Sequence, residues 1–176
     1  MEIKEFIKLF RQKINEVLDS ELIIPSKRSE DFNFGDWTFL FNCAVYDLVK
    51  EYNQKNKANL AICAEPDVEK TPVGRGGYSD ILICSKDGNK NFIIIEHENF
   101  PHKGGVSSDM VRKLSKFKAE SKLIITYYPK NKDEIIKKLQ SYVNDFFGVG
   151  EVLHLFISKW ETACGEDYEY VAIYKE

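Results

Sequence analysis

This chain lacks a run long and apolar enough to cross a membrane. Its longest candidates are Phe92–Ile95 and Trp37–Val45, the latter broken by Thr38 and Asn42. Both fall well short of the roughly 18 residues a spanning helix needs. Glu2, Lys4, Glu5 and Lys8 occupy the N-terminus, where a signal peptide would carry an apolar core. These absences predict no membrane partner and a cytoplasmic location. The four cysteines, at 43, 63, 84 and 164, include no closely spaced pair, and the histidines at 97, 102 and 154 have no helical ligand spacing. A zinc knuckle and a disulfide framework are therefore not expected. Three of the cysteines lie in apolar stretches, which predicts buried, reduced thiols. No internal repeat, low-complexity tract or Pro/Gly linker divides the sequence.

What is there is the composition of a globular domain. The 176 residues are 43% apolar and 30% charged, with 12 Phe and 9 Tyr. That supports one core of ordinary size. We expect a single domain over residues 1–176, with an N-terminal helical part over about 1–55. The formal net charge is -3, but it is unevenly spread. Residues 1–98 hold 13 basic and 17 acidic side chains, residues 99–148 hold 10 and 5, and residues 149–176 hold 2 and 6. The middle segment is thus the basic one, which suits a phosphate-facing surface or a solvated lysine face.

Apolar periodicity orders the chain. Ile3, Phe6, Ile7, Phe10, Ile14, Val17 and Leu18 recur at steps of three and four, predicting a helix that ends before Pro25. A second helix is predicted from about Gly35 to Tyr52, through Leu40, Phe41, Ala44, Val45, Leu48 and Val49. Strands follow near Leu60–Ala64, Asp80–Ser85 and Asn91–Glu98, the last two joined by a turn at Asp87-Gly88. Ser107 or Ser108 caps a helix bearing Met110, Val111, Leu114 and Phe117. A strand at Lys122–Tyr128 precedes a helix capped by Asn131, with Glu134 three residues on and Gly148 at its end. Strands near Val152–Ser158 and Tyr168–Tyr174 close the chain. The fold class is α/β, a mixed sheet covered by helices.

A hairpin centred on Gly88 sets Cys84 against Phe92, Leu82 against Ile94 and Asp80 against Glu96. Directly opposed side chains of an antiparallel pair lie about 4.5–5.5 Å apart at Cβ. Alternation adds Glu98 to the face of Glu96 and turns His97 to the other. Three carboxylates then gather at the ends of two apolar strands that supply no cation on that face. Opposed like charges destabilise a sheet, so something must neutralise them. A hard divalent cation is the simplest candidate, because Mg²⁺ takes oxygen ligands and often only one or two carboxylates. Solvation of exposed strand ends is the alternative.

The run Gly77-Tyr78-Ser79-Asp80-Ile81-Leu82-Ile83, followed by Ile93-Ile94-Ile95-Glu96-His97-Glu98, resembles the core of the PD-(D/E)XK nuclease superfamily. In that pattern an Asp opens one strand and an acid-x-Lys ends the next. The likeness covers about residues 30–128 and implies a restriction-endonuclease-like α-β-β-β-α-β core. Ser79 stands where Pro is frequent, and Glu98 stands where Lys is usual. A minority of type II restriction endonucleases resemble this chain in carrying the second Glu while remaining metal-dependent.

The resemblance implies Asp80 and Glu96 as metal ligands and Glu98 as a residue that activates or positions the attacking water. Mg²⁺ is the implied cofactor, with Mn²⁺ as a substitute. Many members add an acid from the preceding helix. Glu30, in Ser29-Glu30-Asp31-Phe32, fits that place, with Asp36 and Asp47 as rivals. The missing strand lysine could come from the next helix, where Lys113 and Lys116 share a face and Arg112 and Lys118 flank them. Arg112, Lys113 and Lys116 are the expected nucleic-acid contacts. The expected function is metal-dependent hydrolysis of phosphodiesters, first in DNA, by a chain able to pair with a second copy. A catalytically inactive nuclease-fold domain that binds nucleic acid or protein is the alternative, and a metal-binding α/β domain with no nucleic-acid role is a third.

Overall fold

The computed structural model describes residues 1–19, 34–64, 80–98, 106–128, 130–159 and 168–176. Among these residues ten elements follow one another in the predicted order. Helices α1 (Ile3–Asp19) and α2 (Phe34–Asn56) come first, then strands β1 (Leu60–Ala64), β2 (Ile81–Ser85) and β3 (Asn91–Glu98). They are followed by α3 (Ser108–Lys116), β4 (Ser121–Tyr128), α4 (Lys132–Phe146), β5 (Val152–Lys159) and β6 (Glu169–Tyr174).

The six strands form one mixed sheet in sequence order. β1, β2 and β3 make an antiparallel meander, β3, β4 and β5 run parallel, and β6 returns antiparallel. A parallel step requires a crossover, and α3 and α4 supply the two crossovers. Right-handed connections that advance in one direction put both helices on the same face. Their apolar stripes, Met110, Val111 and Leu114 on α3 and Ile135, Leu139 and Val143 on α4, are buried there with Leu82, Ile94, Ile124 and Leu155. On the other face, Phe6, Phe10 and Ile14 of α1 and Phe41, Val45 and Leu48 of α2 pack on Ile81, Ile83, Ile93, Ile95 and Ile125. Successive residues of β2 and β3 thus enter opposite cores, which explains why these strands are apolar on both sides.

The helix starts follow the sequence signals. The Ser107 hydroxyl accepts from the Met110 N–H at 3.2 Å, and the Asn131 side chain accepts from the Asp133 N–H at 3.0 Å. In the β2–β3 turn Gly88 takes φ +72°, a conformation that disfavours any residue with a Cβ. The hairpin departs from the expected register at one point. Ile83 faces Ile93 and Leu82 faces Ile94, but Cys84 faces Asn91, because a bulge between Ile83 and Cys84 absorbs one residue. The slip lies at the turn end, so the pairing at the acidic end is the expected one. The cysteines depart too. Cys63 is exposed and Cys43 and Cys84 are half-buried, all three as free thiols, whereas Cys164 lies outside the described residues.

Among the described residues no helix is long and apolar enough to cross a membrane.

Candidate functional site

Ile81 faces Ile95, so the register continued by one residue sets Asp80 across from Glu96. Glu96 lies between Ile95 and His97 on a strand whose alternate side chains enter opposite cores. It therefore shares the α3/α4 face with Ile94, and only 5% of it is exposed. A carboxylate that deep needs a partner. The partner is Lys113, one turn before the end of α3, whose Nζ lies 2.5 Å from Glu96 Oε1. The cation that β2 and β3 lack thus comes from the crossover helix. Asp80 is held differently, its Oδ2 accepting the backbone N–H of His97 at 2.6 Å. That bond ties the first residue before β2 to the end of β3, beyond the last paired residues of the ladder.

His97 points away from Glu96, as alternation requires. Its ring stacks on Phe41 of α2 with centroids 4.3 Å apart, and its Nε2 lies 3.1 Å from the Tyr127 hydroxyl. Tyr127 in turn accepts from the buried Tyr168 hydroxyl at 2.7 Å. The Tyr168 ring stacks on Phe156, and its backbone carbonyl accepts from Arg11 of α1. Burial lowers the His97 pKa to about 3 and raises that of Tyr127, so both side chains are neutral at ordinary pH. Behind the acidic pair, then, lies a neutral hydrogen-bonded row that crosses β3 and β4 to reach Tyr168.

Glu98 ends β3 half-buried, and its carbonyl accepts from the buried Thr126 hydroxyl at 3.3 Å. Among the described residues, no three His, Cys, Asp or Glu side chains are grouped so as to hold a metal ion. Asp80 and Glu96 still offer hard, anionic oxygen donors on neighbouring strand ends, which is the chemistry Mg²⁺ favours. That ion commonly completes its shell with water and substrate oxygens.

The other expected site residues are distributed more widely. Glu30 lies outside the described residues, as do Ser79 and His102. Asp36 belongs to α2. Asp47 is exposed on α2 and borders, with Tyr46, Ile62, Ala64 and Ile81, an open groove on the sheet face opposite Glu96. Arg112 is exposed and pairs with Asp109 at 2.9 Å, and Lys116 is exposed one turn beyond Lys113 on α3. Of the three basic residues expected to meet nucleic acid, Lys113 is the one drawn onto the acidic pair, whereas Arg112 and Lys116 face solvent. Sequence reasoning did not connect Tyr127 and Tyr168 to the site, although the two-residue periodicity of β4 puts Tyr127 on the face of His97.

No family model, curated protein or solved structure matches the chain.

Proposed function

We propose that this protein is a divalent-metal-dependent nuclease of restriction-endonuclease-like fold, acting on DNA phosphodiesters. The observation that carries the reading is the Ile81–Ile95 register, which continued by one residue sets Asp80 across from Glu96, with Lys113 of the next helix on Glu96. The meander, crossover helix and parallel strand around them agree with the α-β-β-β-α-β core that the sequence motif implies. Asp80 and Glu96 would hold Mg²⁺, and Glu98, two residues after Glu96 on β3, would orient water. The bound ion would supply charge for the developing phosphate oxyanion and acidify water. Lys113, once released from Glu96, would meet a phosphate oxygen in place of the lysine missing from β3.

A second reading has one observation in its favour. Lys113 already neutralises Glu96 and the His97 N–H already bonds Asp80, which suits a catalytically inactive domain of the same fold. Incubation of supercoiled plasmid with protein and Mg²⁺ separates the two. Nicking or linearisation that is lost in Asp80→Ala supports the nuclease. Salt-sensitive DNA binding without cleavage supports the inactive domain.

A further inference from the structure

Asp80 lies in a bend just before β2, and the paired ladder between β2 and β3 begins only at Ile81. Its carboxylate accepts the His97 N–H at 2.6 Å, so its placement depends in part on how firmly the end of β3 is held. On the opposite face the His97 imidazole is clamped between the Phe41 ring and the Tyr127 hydroxyl. Its Nδ1 is buried with no hydrogen-bond partner among the described residues, where Tyr127 supplies the hydrogen bond to the ring. Tyr127 is in turn oriented by Tyr168, whose own ring is stacked at 4.6 Å on Phe156.

We infer that Tyr127 is a positioning residue for Asp80, acting through His97. The row Tyr168–Tyr127–His97 fixes the strand end whose amide holds the Asp80 carboxylate. The purpose of this link rests on the nuclease reading, but the mechanical connection stands on geometry alone. A buried polar row with satisfied hydroxyls holds one arrangement well, because each lost bond leaves a desolvated partner.

The test uses Tyr127→Phe, which keeps the ring and removes the hydroxyl, and Tyr168→Phe, which removes only the outer link. Glu151→Gln serves as a control for general destabilisation. It weakens the Lys122–Glu151 pair at the far end of the sheet, where Lys122 enters β4. Amide exchange at His97 is read by NMR, and Mn²⁺ affinity by titration calorimetry. In Tyr127→Phe the His97 amide should exchange at least about tenfold faster and Mn²⁺ should bind several-fold more weakly. Tyr168→Phe should show smaller changes in the same direction, and Glu151→Gln neither. An unchanged His97 amide in Tyr127→Phe, or equal acceleration in Glu151→Gln, overturns the link. If the parent binds no Mn²⁺, the nuclease reading fails, and the amide exchange alone decides whether Tyr127 holds Asp80.

Discussion

Lys113 Nζ lies 2.5 Å from Glu96 Oε1 on the α3/α4 face of the sheet, so a helix supplies the counter-charge for a strand carboxylate. Removing one member of a buried ion pair strands the other without solvent, which costs about 3–5 kcal/mol. Lys113→Met should therefore destabilise the protein by that order. Lys113→Met combined with Glu96→Gln should recover most of the loss. Urea midpoints for the four proteins of this cycle give the coupling, and additive effects would show that the pair is not a unit.

Asp80 has a structural task as well as the proposed chemical one. Asp80→Ala leaves the His97 N–H without its acceptor and should cost about 1–3 kcal/mol. Asp80→Asn keeps an acceptor oxygen and relieves repulsion with Glu96, so in chelator it should lie much closer to the parent. Mg²⁺ should raise the melting temperature of the parent with the logarithm of its concentration, and that of Asp80→Asn far less. Equal responses to Mg²⁺ would separate Asp80 from metal binding.

The same strand ends show what the sequence can and cannot reveal. Short continuous apolar runs identified the double-sided apolar strands, and a hairpin centred on Gly88 set Asp80 opposite Glu96. That register holds at the acidic end only because a bulge offsets turn-side pairing that is one residue different. The bulge at Cys84 escaped, because nothing in the local composition marks which residue a ladder will leave unpaired. Lys113 could be named as a replacement lysine, but its choice of Glu96 depends on where α3 crosses the sheet. The His97–Tyr127–Tyr168 row joins residues 30 and 41 positions apart, a relationship set by strand order rather than by spacing. Apolar neighbours also misled about the thiols, since Cys63 lies on the edge strand β1 and is exposed.

Acid should destabilise the fold before its carboxylates titrate. Burial depresses His97 to about 3 and also lowers His154, whose Nδ1 lies 2.8 Å from the Tyr170 hydroxyl. A folded pKa below the unfolded value of about 6.5 means that the unfolded chain binds more protons as pH falls. The stabilisation is full above that pH and is lost on acidification. Between about pH 7 and 5.5, His97 should account for a loss of about 1 kcal/mol, and His154 adds to it in the same direction. Urea midpoints across that window should fall in the parent and fall less in His154→Gln. A parent insensitive to pH there would mean that the imidazoles are not held neutral by the fold.

The exposed side chains of Arg112 and Lys116 flank the site on α3. If they meet phosphates, their replacement by Ala should weaken DNA binding and reduce its salt dependence by about one unit of log–log slope per contact. Fluorescence anisotropy over a salt series measures both. Unchanged slopes would leave the two residues as solubilising charges.

The metal itself is the most direct test. Crystals of the protein soaked in Mn²⁺ should show one anomalous peak between the Asp80 and Glu96 carboxylates, with Lys113 displaced from Glu96. Crystals with no peak there, and with Lys113 still on Glu96 at saturating Mn²⁺, would contradict the assignment of a metal-dependent nuclease.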